Sequence, residues 1–469
     1  MEKYDYNFVY NSDIPKYIQL SKHIKQLIDM NMIEDGEKLP SIRELSKLLS
    51  VNSVTIVNTY KKLQNEGYAA LKIGSGTYAK RKDITRNYKK EYSEVFKKLS
   101  ISNLKKYIDF SGEVTCSDFF EVDTFKSVLN EVLERDGIDA LVYQEFLGYE
   151  GLRKSINKFF WEDKIDLENI LIVSGAQQGI DIAAKAMINV NDNVILEKPT
   201  YSGAMSVFKG RRANIYEADM LSDGIDLEKF EKILKKIKIK CFYTMSYFQN
   251  PTGVSYSLEK KKEILRLSEI YDFYIIEDDY LSELIYDDNI QYVSFKKLDD
   301  NDRVIYIKSF SKIFLPGIRL GYLITPESFK ESIQSSKINT DISTSSLMQR
   351  ALEIYINKGF WKNHISNLNV AYKERYNYME KCINDILGHN VNYISPKGGL
   401  NFYLKLSNEI KIDSMSLFYE CLKKNVIITP GVIFYKQIHE GNKYIRLGFS
   451  QVSEEQIWSG LSVINDILE

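Results

Sequence analysis

The spacing of apolar positions changes its period along this chain, and each change marks a different element. Tyr17, Leu20, Ile24, Leu27 and Ile28 recur at the three-and-four spacing of an amphipathic helix, which the pattern carries to about Met32. Asp35-Gly36 interrupts it. Pro40 then precedes Ser41-Ile42-Arg43-Glu44, a capping-box spacing that starts a second helix through Leu49. A third helix is predicted from Ser53 to Glu66, with Val54, Val57 and Leu63 turned inward and Gly67 placed to end it. Two strand-like runs, Tyr68–Ile73 and Thr77–Lys80, flank the turn Gly74-Ser75-Gly76. Three helices followed by a two-stranded wing describe a winged helix-turn-helix. In that geometry the third helix enters the major groove of DNA and the wing reaches the flanking backbone.

From about Asp83 to Tyr107 the periodicity fades into Lys, Glu, Ser and Asn with scattered apolar residues. Two readings stay open here, a partly helical tether and a solvated linker. Beyond Asp109 short apolar strands alternate with longer amphipathic stretches, the pattern of an α/β fold. The strand candidates are Leu171–Val173, Val194–Leu196, Cys241–Thr244, Phe273–Ile276, Val304–Ile307 and Leu320–Leu323. The expected division is therefore 1–82 for the DNA-binding module, 83–108 for the tether and 109–469 for the α/β part.

Length and composition agree with two or three soluble domains: 469 residues, 44% hydrophobic and 27% charged. The net charge of −1 conceals a local excess. Between Lys61 and Lys82 stand Lys61, Lys62, Lys72, Lys80, Arg81 and Lys82 against the single acid Glu66, so a nucleic-acid face belongs to the N-terminal part. Cys116, Cys241, Cys382 and Cys421 form no closely spaced pair, and the four histidines are scattered, which leaves no zinc-ligand spacing. The first residues lack the apolar run of a signal peptide, and no stretch reaches membrane-spanning length, so a cytoplasmic protein with reduced thiols is expected.

Chemically loaded residues follow nearly every strand, where α/β sheets bind their ligands. Ser174-Gly175-Ala176-Gln177-Gln178-Gly179 opens a helix after the first strand; small residues and a helix N-terminus suit a phosphate. Pro199-Thr200-Tyr201 places an aromatic ring where it can stack on a flat heterocycle. Asn250-Pro251-Thr252-Gly253 holds an amide donor in a rigid turn, and Glu277-Asp278-Asp279-Tyr280 puts acids at a strand end. Ser309-Phe310-Ser311-Lys312 and Pro316-Gly317-Ile318-Arg319 gather two hydroxyls, a lysine and an arginine. That last group can hold one dianionic phosphate and present one amine to an aldehyde. The pairing suits pyridoxal phosphate, whose aldehyde condenses with lysine to a Schiff base.

Taken in order, these motifs make the region from about 109 onward resemble the fold-type I aminotransferases, in the branch related to aminoadipate and kynurenine aminotransferases. The resemblance implies a large α/β domain with a small C-terminal domain. It assigns Lys312 to the Schiff base, Asp278 to the pyridine nitrogen, Asn250 and Tyr280 to the ring hydroxyl, and Tyr201 to the ring face. Ala176, Gln177, Ser309, Ser311 and Arg319 would hold the phosphate, and Arg446 a substrate or effector carboxylate. Tyr143 matches a tyrosine that reaches the partner subunit's phosphate, which implies a homodimer with a domain-swapped, head-to-tail arrangement.

The N-terminal motifs Pro15-Lys16-Tyr17, Gly36-Glu37-Lys38-Leu39-Pro40-Ser41-Ile42-Arg43, Tyr60-Lys61-Lys62-Leu63 and Gly74-Ser75-Gly76-Thr77 resemble the GntR-family DNA-binding domain. By that likeness Ser41, Arg43, Ser53, Thr55, Lys72, Gly74, Ser75 and Gly76 would meet a double-stranded operator. Asn52-Ser53-Val54-Thr55 stands where the family usually has Ser-Arg-x-Thr, and serine cannot grip guanine as arginine does, so base preference does not carry over. The whole architecture resembles the MocR subfamily of regulators. The expected function is a transcription regulator that senses pyridoxal phosphate or an amine or amino-acid effector and controls vitamin B6 or amine metabolism genes. The competing reading is a working aminotransferase with an appended DNA-binding domain.

Overall fold

The computed structural model describes residues 14–29, 32–33, 36–72, 74–80, 92, 94–95, 106–113, 115–142, 145–287, 289–314, 316–341 and 343–469. They divide into two compact units, one formed by the N-terminal residues and the other beginning at Leu104.

The N-terminal unit contains helices α1 (Lys16–Asp29), α2 (Ile42–Leu48) and α3 (Ser53–Asn65), then strands β1 (Ala69–Lys72) and β2 (Gly76–Ala79). The described part of α1 ends at Asp29; residues 30 and 31 lie outside the described residues, and Met32, near which the pattern ends the helix, is exposed. Ser41 and Glu44 form the capping box at α2, each satisfying a backbone N–H of the other. Asn52 caps α3 by accepting from the Val54 amide at 2.9 Å. The inward face of α3 is Ile56, Thr59, Tyr60 and Leu63, which pack with Leu20, Ile24, Ile28 and Leu45. Val54 was expected inside but is 61% exposed. The stripe through Ile56 and Leu63 sets the buried side, and two residues earlier on a 100° period points elsewhere. Gly67 closes the helix at φ +80°, its N–H donating to the Gln64 carbonyl. β1 and β2 pair antiparallel from Ala69–Ala79 to Lys72–Gly76 around a turn in which Gly74 and Gly76 take positive φ.

Of the tether, Tyr92, Glu94 and Val95 are helical, while the rest up to Lys105 lies outside the described residues. The second unit is built on an eight-stranded sheet of β4 (Ile170–Val173), β5 (Asn193–Lys198), β6 (Asn214–Leu221), β7 (Gly224–Ile225), β8 (Cys241–Thr244), β9 (Tyr274–Asp279), β10 (Val304–Ser309) and β11 (Gly321–Ile324). Its order is β4-β11-β10-β9-β8-β5-β6-β7, and only β11 and β7 run against the others. The short apolar runs read from the sequence became the fully buried strands, as in a parallel sheet covered on both faces. β6 and β7 were not anticipated, because Asn-Ile-Tyr-Glu-Ala-Asp at 214–219 is half polar and belongs to the sheet's edge.

A smaller antiparallel sheet joins β12 (Val391–Asn392), β13 (Asn401–Leu406), β16 (Tyr444–Gly448) and β15 (Thr429–Pro430). Beside it β3 (Ile108–Asp109) pairs parallel with β14 (Val426–Ile427). The chain then continues across β16: the Gly448 amide donates to the Phe110 carbonyl at 2.6 Å. A Cβ on Gly448 would stand 2.2 Å from the Gly112 carbonyl, so only glycine allows this crossing.

Three consecutive acids end β9, and strand alternation separates them. Glu277 accepts from Ser246 and from the Phe295 and Lys296 amides. Asp279 accepts from Tyr292, Tyr306 and the buried Lys308 ammonium, which also reaches Glu283 at 2.6 Å. Asp278 faces the other way. Lys308→Met would leave Asp279 and Glu283 without their cation, an expected loss of about 3–5 kcal/mol. Denaturant unfolding followed by tryptophan fluorescence measures it, since Trp161, Trp361 and Trp458 all lie in this unit.

Candidate functional sites

Asp278 stands at the end of β9 with one oxygen occupied and the other free. Tyr243, on the adjacent strand β8, donates to Oδ2 at 2.7 Å, while Oδ1 is buried without a protein partner. Burial pushes its carboxyl up to about 7, against the opposing pull of the Tyr243 hydrogen bond. A buried acid with one unused oxygen is suited to a cationic ring nitrogen.

Lys312 follows β10 in a segment whose backbone is pinned by apolar anchors. Phe310, Ile313 and Phe314 are fully buried, and Phe314 meets Tyr355, Trp361 and His364 edge-on or tilted. The lysine side chain is freer, about a third exposed at 35%, which leaves its amine reachable. Thr115 donates its N–H to the Lys312 carbonyl at 3.0 Å and lays the strap that follows β3 alongside the lysine.

Gly175 caps the helix Ala176–Met187 at φ +100°. A Cβ built there would lie 3.6 Å from Ser311 Oγ and from both terminal nitrogens of Arg319. A helix N-terminus, a hydroxyl and a guanidinium therefore converge on one spot, and Ser311 Oγ is buried with no partner in the protein. Ser309 lies beneath, its Oγ accepting from the Ser311 amide. Arg319 holds φ +52°, a left-handed conformation costly for a side-chain-bearing residue. Gln177 is exposed and accepts from the Tyr201 hydroxyl at 3.1 Å. Burial and the nearby charges of Asp278 and Glu113 push Tyr201 up to about 12, so it stays neutral.

Arg446, on β16, points into the same space. Nη1 donates to Asn250 Oδ1 at 2.9 Å and lies 2.6 Å from Glu113 Oε1. Nη2 donates to the Ser111 carbonyl at 3.0 Å and to Thr429 Oγ1 at 3.3 Å. Asn250 donates to Glu113 Oε2 at 3.1 Å, and Lys312 Nζ is 3.7 Å from the same oxygen. Tyr280 is buried close by, but its hydroxyl donates to the Phe248 carbonyl at 2.7 Å. Tyr143 lies outside the described residues.

The structure thus brings Lys312, Asp278, Asn250, Tyr201, Gly175, Ser309, Ser311, Arg319 and Arg446 close together, although they come from segments up to 271 residues apart. The unpartnered oxygens of Asp278 and Ser311, with the cradle at Gly175, fit a phosphorylated pyridine. Two contributors were missed in the sequence. Tyr243 is one of 33 tyrosines and is marked only by the strand beside it. Glu113 carries no motif at all. Among the described residues no cluster of three or more His, Cys, Asp or Glu side chains could hold a metal ion, and no helix is long and apolar enough to cross a membrane.

Residues 113–464 match the family described as aminotransferase class I and II, and residues 16–79 match that described as bacterial regulatory proteins, gntR family. The chain belongs to the aminotransferase class I and II family. Its GntR module makes this a MocR-type architecture and implies DNA binding. Among curated proteins it is 28% identical to the uncharacterized HTH-type transcriptional regulator YdfD of Bacillus subtilis (strain 168), over 96% of this chain and 95% of that protein. It is also 28% identical to aromatic-amino-acid aminotransferase 1 of Thermococcus litoralis, over 80% and 91% of the two chains. The multiple substrate aminotransferase of Thermococcus profundus superposes with a TM-score of 0.75 at 29% identity, covering 81% and 94%. The cofactor of this MocR-type chain is pyridoxal 5'-phosphate.

In the MocR-type DNA module, Arg43 is exposed in the first turn of α2, Ser53 and Val54 are exposed at the start of α3, and Thr55 is half-buried. The Ser41 hydroxyl is occupied by its cap. Lys72 lies over the Tyr78 ring at 4.4 Å and Ser75 bonds the Tyr78 hydroxyl, which stiffens the wing. Lys62 is paired internally with Glu66, so the basic excess open to DNA is smaller than the sequence suggests.

Two outcomes follow from this geometry. An Asp278 carboxyl raised to about 7 when folded, against about 3.9 unfolded, makes the folded apo-protein hold a proton that the unfolded chain releases. Its contribution is full below the unfolded value and is lost as pH rises toward the folded one. Asp278→Asn is therefore expected to flatten the decline in apo-protein stability between about pH 5 and pH 7, read by thermal unfolding. For the DNA face, Arg43→Ala is expected to weaken operator binding about tenfold and to lower the salt-dependence slope by about one if it contacts phosphate.

Proposed function

We propose that the chain is a DNA-binding regulator whose aminotransferase-like unit carries pyridoxal phosphate on Lys312 and senses either the cofactor itself or an amino compound. The observation that carries this reading is the presence, in one chain, of a complete winged helix and a pocket with a reachable lysine among groups fitted to the cofactor. When bound, pyridoxal phosphate supplies an aldehyde that condenses with amines and a ring that withdraws electrons. The protein's residues do the rest. The helix beginning at Ala176, with Gln177, Ser309, Ser311 and Arg319, holds the phosphate. Asp278, kept in place by Tyr243, accepts from the ring nitrogen and favours its protonated form. Asn250, whose amide has a second N–H beyond the one given to Glu113, donates to the ring hydroxyl, and Tyr201 covers the ring face.

The working unit is a homodimer in this reading. Ile138, Leu141, Val142 and Phe146, on either side of Tyr143, are exposed apolar side chains of the kind a second copy covers. The dimer would bring Tyr143 to its partner's phosphate and set the spacing of two winged helices on DNA. A DNA-binding regulator works where the chromosome lies, which places the protein in the cytoplasm of a bacterium. Ligand and DNA binding are then coupled, and the coupling runs in both directions.

The test is a titration of a promoter fragment with wild type and Lys312→Ala, each with and without pyridoxal phosphate. The expected result is that the cofactor shifts wild-type affinity or footprint and leaves Lys312→Ala unmoved. Identical binding in all four cases overturns the regulator reading. Steady turnover of an amino acid with a keto acid at ordinary enzyme rates would favour the aminotransferase reading instead.

A further inference from the structure

Arg446 has the form of a carboxylate receptor, but its terminal nitrogens already face acceptors of the protein: they make three hydrogen bonds and an ion pair with Glu113, and only the buried Nε has no partner. The two terminal nitrogens carry four N–H groups, and four acceptors surround them: Asn250 Oδ1, Glu113 Oε1, the Ser111 carbonyl and Thr429 Oγ1. Arg446 is 6% exposed and Glu113 8% exposed, so the pair is buried together. Glu113 is also held in place rather than merely nearby. β3 fixes Ile108 and Asp109 on β14, the Phe110 carbonyl is bonded by Gly448, and Thr115 is bonded to the Lys312 carbonyl. The strap between these two anchors carries Glu113 to a point 3.7 Å from Lys312 Nζ.

We infer that Glu113 is a built-in carboxylate that occupies Arg446 and so selects for primary amines lacking an α-carboxylate. The inference rests on the proposed cofactor site at Lys312. An α-amino acid would have to break the Glu113–Arg446 pair and leave Glu113 buried without its cation, next to its own like-charged carboxylate. A plain amine meets no such obstacle. Its ammonium approaches Lys312 beside the Glu113 carboxylate, which attracts it. Specificity here comes from a repulsive element as much as from an attractive one.

The experiment compares each amine with the amino acid that differs only by the carboxylate: phenethylamine with phenylalanine, and butylamine with norvaline. The cofactor-loaded full-length protein is titrated with each. Binding is read as half-saturation of the change in the bound cofactor's visible absorption, and independently by calorimetry. For wild type the amines are expected to bind about tenfold or more tighter than the matching amino acids. Glu113→Gln keeps the shape and removes the charge, and Glu113→Ala opens the site; in both the preference is expected to shift toward the amino acids by at least about tenfold. Equal affinity for amine and amino acid in wild type, or an unchanged ratio in both variants, overturns the inference. Failure of the underlying site looks different: borohydride reduction then leaves no cofactor mass on the Lys312 peptide of wild type, and no ligand perturbs the absorption.

Discussion

Parallel strands that end together bury whatever polar groups stand at their ends, and this sheet ends on acids. Glu197 at the end of β5, and Glu277, Asp278 and Asp279 at the end of β9, are all removed from water by the same packing that stabilises the fold. Each is kept by a specific set of donors. Glu197 accepts from Thr244, Tyr256 and Gln249 and is still pushed up to about 7 by burial. Asp279 has a lysine and two tyrosines. Asp278 alone keeps a free oxygen, and that asymmetry turns one of several structural carboxylates into the chemically available one.

The same logic orders the pocket. Charges lie opposite each other across it, with Asp278 and Glu113 against Lys312, Arg319 and Arg446, so no group is buried without an opposite charge near it. The anion cup at Gly175 and the amine at Lys312 sit on segments whose backbones are fixed by apolar anchors. Position comes from packing, and reactivity from the few side chains left free. A regulator and an enzyme can share all of this, because fold and cofactor do not decide what the output is. The winged helix on the same chain is what directs the reading toward DNA.

Much of this was legible in the sequence because it is local. Capping at Ser41 and Asn52, the glycine turn of the wing, and the apolar strands β4, β5, β8, β9 and β10 follow from neighbouring residues. Lys312, Asp278 and Asn250 were marked by short motifs at strand ends. What was not legible depends on contacts across the fold. Val54 looks like a core residue until the stripe through Ile56 and Leu63 is known to face inward. The edge strands β6 and β7 are half polar and give a weak signal. Tyr280 stands in its motif, but that its hydroxyl donates to the Phe248 carbonyl is seen only in the fold. Glu113 follows Ser-Gly in an unremarkable loop, and only the path from β3 across Gly448 brings it to Arg446, more than 300 residues away.

That path has a mechanical side. The strap bearing Glu113 follows directly on β3, near the start of the second unit. It is clamped by backbone bonds from Ile108 to the Asn425 carbonyl, from Phe110 to the Ile427 carbonyl and from Gly448 to the Phe110 carbonyl. These bonds act as a strain relief. A pull along the chain at Ile108 would load the β3–β14 pair in shear, so the bonds at Ile108 and Phe110 must give before Glu113 is displaced. Conversely, a displacement of Glu113 that keeps these bonds must carry β14 and β16 with it. The carboxylate is thus tied to the small sheet, and its position is set by that sheet and not by the strap alone.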